Sequence, residues 1–284
     1  MKQTAETCLT LGPLVRRVLA DNASAFTHTG TQSYIVGRGE VAVIDPGPDL
    51  PGHVAAILKA VAGERVGAIL CTHTHRDHSP ASRALKAATG APIVGCAPLA
   101  LDVGGPRADA AFDRDYAPDR VLADGETIAG AGWSLEAVAT PGHTSNHLCF
   151  ALREANALFS GDHVMGWSTT VVAPPDGDMA SYMASLDRLN GRGEDVYYPG
   201  HGDPVQQPRR FVAALAGHRR QREGQILRLL EEEPLPVTAM VARMYAGIDP
   251  RLHGAAGCSV LAHLIDLEAR DEVVRDGESW ALAA

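Results

Sequence analysis

The chain has 284 residues, 45% of them hydrophobic, which suits one large domain, alone or with a small appendage. A formal net charge of −9 argues against a broad phosphate-binding surface. Five scattered cysteines (Cys8, Cys71, Cys96, Cys149, Cys258) imply neither a disulfide framework nor a CxxC zinc site. With no secretory leader and no apolar run of membrane-spanning length, the expectation is a cytoplasmic protein with no membrane association.

In chain order, residues 9–19 read as an edge segment or early strand pair. Residues 31–37 and 41–45 read as strands joined at Arg38-Gly39-Glu40, and Asp45-Pro46-Gly47-Pro48 then breaks the chain. Helical spacing over 51–61 leads to a strand-length apolar run at 66–71. Thr72-His73-Thr74-His75-Arg76-Asp77-His78 follows, three histidines and an aspartate in one loop. Ser79-Pro80 has the look of a cap and first turn opening a helix over 81–88. A short strand is expected at 92–95. Residues 102–119, rich in Gly, Pro, Asp and Ala, read as a long pocket-bordering loop. Strands over 133–140 and 147–152 flank Pro141-Gly142-His143, and a strand over 157–160 runs into Gly161-Asp162. A helix over 179–189 precedes a strand at 196–198 that ends in Pro199-Gly200-His201.

Imidazoles and carboxylates are the mixed donors that suit Zn²⁺, with Fe and Mn also compatible. His73 and His75, two apart in extended backbone, point to one side and can grip one ion. Asp77 and His78 can turn to a second. A solvated polar loop explains the cluster poorly, because twelve histidines in 284 residues rarely fall three within six positions. Taken alone, a Pro-Gly-His is more often a turn. Here the pattern of strand, glycine turn and candidate ligand recurs at His143, Asp162 and His201, which would bring each to one sheet edge.

These motifs, in this order over residues 31–202, resemble the metallo-β-lactamase-fold hydrolases. The resemblance implies an α/β fold, an αββα four-layer sandwich with the site at one edge. It implies one metal on His73, His75 and His143, a second on Asp77, His78 and His201, and Asp162 bridging them with a water or hydroxide. Asp45 matches the motif carboxylate that supports the ligands from behind, and Asp77 and Asp162 would also orient the nucleophile. Lactamases of two classes carry Cys where Asp162 stands, and the third lacks the bridging carboxylate, so a dedicated β-lactamase is not expected. His28, His147 and His163 are pocket candidates, and Tyr116, Trp167 and Thr170 are weaker candidates for the pocket wall. For the three histidines a structural imidazole is the favoured alternative.

Beyond residue 208, helical spacing over 209–232, a helix opening at Leu235-Pro236 and running to 245, another over 254–269, and a hairpin turning at Asp276-Gly277 outline a small winged helix. It resembles the tail of the beta-lactamase-like protein 2 subfamily. The expected division is a catalytic domain over 1–207 and a helix plus winged-helix domain over 208–284. Arg209, Arg210, Arg219, Arg220 and Arg222 crowd the long helix and read as a solvated face. Ten arginines and no lysine against eleven acids from Arg209 onward do not make a nucleic-acid face. The tail is expected to be a lid, a support or a homodimer contact. The function expected is a dinuclear zinc hydrolase using a metal-bridging hydroxide on a small-molecule ester, thioester or lactone. The alternatives are a ribonuclease-like phosphodiesterase acting on RNA and a weak promiscuous β-lactamase.

Overall fold

The computed structural model describes residues 3–99, 112–247 and 249–283, so the loop expected over 102–119 lies outside the described residues up to 111. The first sheet runs in chain order through β1 (Cys8–Thr10), β2 (Val15–Leu19), β3 (Gln32–Arg38), β4 (Glu40–Ile44), β5 (Arg65–Cys71), β6 (Ile93–Gly95) and β7 (Arg120–Val121). Short connections make β1 to β4 antiparallel. The crossover helices α1 (Pro51–Ala60) and α2 (Ala81–Thr89) return the chain to make β4, β5 and β6 parallel.

The second sheet contains β8 (Thr127–Gly130), β9 (Trp133–Ala139), β10 (Leu148–Leu152), β11 (Ala157–Gly161), β12 (Val196–Pro199) and β13 (Val205–Gln206), again neighbours in chain order. Period-two burial shows how it is placed. Leu148, Phe150 and Leu152 of β10 join a core shared with the first sheet, while Cys149 and Ala151 face the opposite way. The opposite face is covered by α3 (Met179–Asn190) and by the first half of α4 (Pro208–Glu232), through Tyr182, Leu186, Val212 and Leu215. With Ile57 of α1 and Leu85 of α2 in the shared core from the other side, the layers read α, β, β, α. Fully burying side chains such as Phe150 stabilises by about 1.5–3 kcal/mol each, and Phe150 and Phe159 both lie between the sheets.

At 25 residues α4 is about 37 Å long. Its second half leaves that core for another, where Ile226 and Leu230 pack with Leu264, Leu267, Val273 and Trp280. This third core belongs to α5 (Val237–Met244), α6 (His253–Ala269) and a small sheet of β14 (Leu235–Pro236), β15 (Val273–Asp276) and β16 (Ser279–Leu282), a winged helix. Among the described residues no helix is long and apolar enough to cross a membrane.

Several local expectations change. Ser79 does not cap α2, because its Oγ donates to Asp113 Oδ2 at 2.9 Å, a charged acceptor that Arg83 holds in place. Leu235–Pro236 is a strand rather than the opening of a helix, since Leu235 pairs with Trp280. The arginines of α4 are not one solvated face. Arg219 is 2% exposed and donates to Thr170 O, and Arg222 lies over the Tyr245 ring.

Candidate metal centre

Five stations at the carboxyl ends of strands build the site: Asp45 after β4, residues 72–78 after β5, His143 beyond β9, Asp162 after β11 and His201 after β12. The pairings explain the shared edge. β4 and β5 are parallel, as are β11 and β12, and two antiparallel steps through β10 give β9 the direction of β11. Backbone bonds from Gln32 N to Gly200 O (2.9 Å) and Leu148 N to Thr72 O (2.8 Å) tie the two sheets together at this edge. Glycine is required beneath the cluster. A Cβ on Gly200 would fall 2.5 Å from Asp162 Oδ1 and 2.6 Å from His78 Cε1.

Two groups of donors result. His73, His75, His143 and Asp162 form one, and Asp77, His78 and His201 the other, each group with ligand atoms within 4.8 Å of one another. In the first, His73 Nε2 and His143 Nε2 approach His75 Nδ1 to 2.9 and 3.1 Å. In the second, Asp77 Oδ2 lies 3.4 Å from His78 Nε2 and 3.2 Å from His201 Nε2. Asp162 touches both, with Oδ1 3.4 Å from His78 Nε2 and Oδ2 3.3 Å from His201 Nε2 and 3.8 Å from His143 Nε2.

The surroundings set the tautomers. His78 Nδ1 donates to Asp45 Oδ2 at 2.9 Å, since an ionised carboxylate only accepts. Thr72 gives its one hydroxyl proton to Asp45 at 2.8 Å, so it accepts from His73 Nδ1 at 3.0 Å. His143 Nδ1 donates to Val171 O at 2.7 Å and His201 Nδ1 to Gly30 O at 3.3 Å. Four imidazoles therefore keep Nδ1 on the protein and turn Nε2 inward, where it offers a lone pair once any proton on it is displaced. His75 instead presents Nδ1. A proton can bridge one pair of such nitrogens, whereas a cation satisfies them all.

That is the fit test for a metal, and the donor set passes it. Tetrahedral Zn–N bonds of ~2.0–2.1 Å place ligand nitrogens ~3.3 Å apart, close to the spacings here. Among the described residues His78 Nε2 and Asp162 Oδ1 are buried without a hydrogen-bond partner, as ligand atoms awaiting an ion would be. The field agrees. Burial alone would raise the pKa of Asp162, but His201 and His78 outweigh it and hold it well below the usual carboxylate range. Burial would likewise lower His78, yet Asp77, Asp162 and Asp45 hold it well above an ordinary imidazole. Positive charge is strongly favoured between these carboxylates.

The remaining pocket candidates divide. His147 lies beneath the centre, its Nε2 accepting from Asp162 N at 3.2 Å and its Nδ1 beside Thr140 Oγ1 at 2.8 Å. His163 is buried against Tyr182, its pKa pushed down to about 3 by burial and by His143 and Arg219. Tyr116 is in the core. His28 stacks on Trp167 with centroids 4.8 Å apart, and Thr170 Oγ1 lies 3.2 Å from His143 Nδ1. Trp167 and Thr170 line a cleft of about 250 Å³ beside the winged helix. Sequence reading missed Thr72, Gly30 and Val171, which act through backbone or a hydroxyl and have no ligand spacing to mark them. It also missed Phe112, whose ring lies 4.8 Å from His75.

Residues 27–201 match the sequence profile of the metallo-beta-lactamase superfamily, and residues 237–280 that of the beta-lactamase associated winged helix domain. The chain is 34% identical over 226 residues to an atrochrysone carboxyl ACP thioesterase of Aspergillus chevalieri, covering 78% of this chain and 67% of that one. It is 31% identical over 272 residues to a beta-lactamase-like protein 2 homolog of Drosophila melanogaster, covering 89% and 87%. Among solved structures, a beta-lactamase domain protein from Burkholderia ambifaria matches all of this chain and 96% of its own, with a TM-score of 0.82 at 21% identity.

Proposed function

This chain belongs to the metallo-beta-lactamase superfamily as a metal-dependent hydrolase, and from that premise we propose that it cleaves thioesters at a dinuclear zinc centre. One observation carries the reading: five imidazoles and two carboxylates converge in two adjoining groups, with four Nε2 atoms fixed inward. His73, His75 and His143 would hold one ion, Asp77, His78 and His201 the other, and Asp162 both. Asp45 would serve by aiming His78. Bound there, the ions supply Lewis acidity toward a carbonyl oxygen and lower the pKa of water toward neutrality.

The protein's own groups do the positioning. Thr31 Oγ1 donates to Asp77 Oδ2 at 2.9 Å and so fixes the rotamer of that carboxylate. Asp162 is held at its backbone by His147, and its carboxylate stands between the two groups, where it can orient the proton of an attacking water. Phe112 packs against the ring of His75. A departing thiolate, with an ordinary pKa of about 8.5, leaves without full protonation. Thioester cleavage therefore asks for no dedicated general acid. The relative named as a thioesterase supports this substrate class over a lactone. In this reading residues 1–207 carry the chemistry and residues 208–284 wall the substrate cleft.

RNA cleavage finds little support in the electrostatics of α4. Arg219 is buried, Arg222 is packed on Tyr245, and Arg220 pairs with Asp187 at 3.5 Å. The test is a turnover screen of zinc-loaded protein against acyl thioesters, lactones, β-lactams and single-stranded RNA. Thioesters are expected to turn over fastest, and a preference for phosphodiesters would overturn the proposal.

A further inference from the structure

The cleft between the segment around Trp167 and the winged helix differs from the rest of this acidic molecule. Its walls are apolar on several sides (Phe26, Met165, Trp167, Tyr245, Leu252), and no Asp or Glu is among its described lining residues. Two guanidiniums line it instead, Arg219 and Arg222. Arg222 lies 4.4 Å over the Tyr245 ring and donates to His218 Nε2 (3.3 Å), Gln225 Oε1 (2.9 Å) and Met244 O (3.3 Å), all neutral acceptors. Arg219 is 2% exposed, donates Nη2 to Thr170 O, and keeps a buried Nε with no hydrogen-bond partner among the described residues. Among the described residues neither arginine pairs with a carboxylate. A buried, unneutralised guanidinium is costly unless something anionic comes to it.

We propose that this cleft is an organic-anion subsite, seating a flat apolar group between Trp167 and Tyr245 with its carboxylate or phosphate on Arg222 and Arg219. About 150 Å³ suffices for a single benzene ring, so about 250 Å³ admits a two-ring acid. The subsite adjoins the metal centre through shared residues. Thr170 and Val171 line the cleft, and both contact His143 Nδ1, through Oγ1 at 3.2 Å and O at 2.7 Å. Its place in catalysis rests on the thioesterase reading, with the anion belonging either to the acyl group or to the phosphate of the carrier thiol. Binding itself does not depend on turnover.

Calorimetric titration of the zinc-loaded protein with 2-naphthoate, 2-naphthyl phosphate and neutral 2-naphthylmethanol tests this. The anions are expected to bind at least ~10-fold more tightly than the alcohol, the scale of one charge-assisted hydrogen bond. Arg222→Gln should abolish most of that preference and Arg222→Lys restore part of it, with metal content unchanged, which separates the subsite from anion binding at the metals. A tighter phosphate points to the carrier thiol, a tighter carboxylate to an acidic acyl group. Equal affinity for acid and alcohol in the native protein, or an anion preference that survives in Arg222→Gln, overturns the proposal. Because no substrate is turned over, failure of the thioesterase reading would leave this result standing, and the reverse holds too.

Discussion

His78 donates its Nδ1–H to Asp45 Oδ2 across 2.9 Å, and that one carboxylate reaches both halves of the metal centre. It also accepts from Thr72 N at 2.7 Å and Thr72 Oγ1 at 2.8 Å, and the same hydroxyl fixes His73 at 3.0 Å. One imidazole in each donor group is thus aimed by a residue that is itself 2% exposed and lies outside both groups. Asp45→Ala should weaken zinc binding about 10–100-fold, the usual effect of losing such a partner. It should also cost about 1–3 kcal/mol of stability, because Thr72 N loses its acceptor in the interior. Competition with a chromophoric chelator measures the first effect and denaturant unfolding of the metal-free protein the second. A folded variant with native zinc affinity would refute the aiming role.

Asp162 differs from Asp45 in standing among the donors, near His78, His201 and His143. Asp162→Asn should therefore lose both metals and hydrolysis together, with bound zinc falling well below two per chain by elemental analysis. His163→Ala should keep both metals, since His163 packs on Tyr182 at 4.6 Å and belongs to neither donor group. The cost there should be stability alone, about 1–3 kcal/mol for a buried ring removed. An empty site in His163→Ala would show the donor assignment to be wrong.

What could be read from the sequence was whatever repeats or clusters. The HxHxDH loop and the glycine turns before His143, Asp162 and His201 signal themselves by spacing, and the strands delivering them show alternation or short apolar runs. Thr72, Gly30 and Val171 fix tautomers through a hydroxyl or a carbonyl, groups every chain carries everywhere, so nothing marks them in one dimension. The short strands β7, β8 and β13 owe their existence to pairing with neighbours rather than to local propensity. Arg219 misled for a related reason. Its neighbours Arg220 and Arg222 suggested a solvated face, but one step along a helix turns the side chain by about 100°, here into the core beside Tyr182.

The metal-free protein should respond to pH in a way the loaded protein does not. Burial would lower the His201 pKa, but Asp162 and Asp77 outweigh it and raise it to about 10. A pKa raised on folding contributes stability that is fully present below the unfolded value near 6.5. It is lost as pH climbs through about 10. Stripped protein should accordingly melt at lower temperature at pH 10 than at pH 7, with a smaller change when zinc occupies the site. At pH 7 an incoming ion must expel the His201 proton, so zinc affinity should rise with pH. Calorimetry in buffers of different ionisation enthalpy would reveal that release, and a buffer-independent enthalpy at pH 7 would contradict it.

Arg219 and Arg220 are adjacent on α4 and should behave oppositely. Arg219 donates to Thr170 O and lies 5.2 Å from the Tyr182 ring centroid, so it ties α4 to the wall of the site. Arg219→Gln should cost about 1–3 kcal/mol, the price of leaving buried partners unsatisfied, and should lower kcat/KM by loosening Thr170 beside His143. Arg220, whose side chain is 62% exposed, makes a long pair with a similarly exposed Asp187. Removing such a pair changes stability by less than about 0.5 kcal/mol. Arg220→Gln should therefore match the native protein in unfolding and in thioester turnover. If α4 instead guided RNA, Arg220→Gln would weaken RNA binding and flatten its salt dependence, because fewer counterions would be released. Filter-binding titrations across salt concentration, run on both variants, distinguish the outcomes. The expectation is no salt-dependent RNA affinity for Arg220→Gln to change.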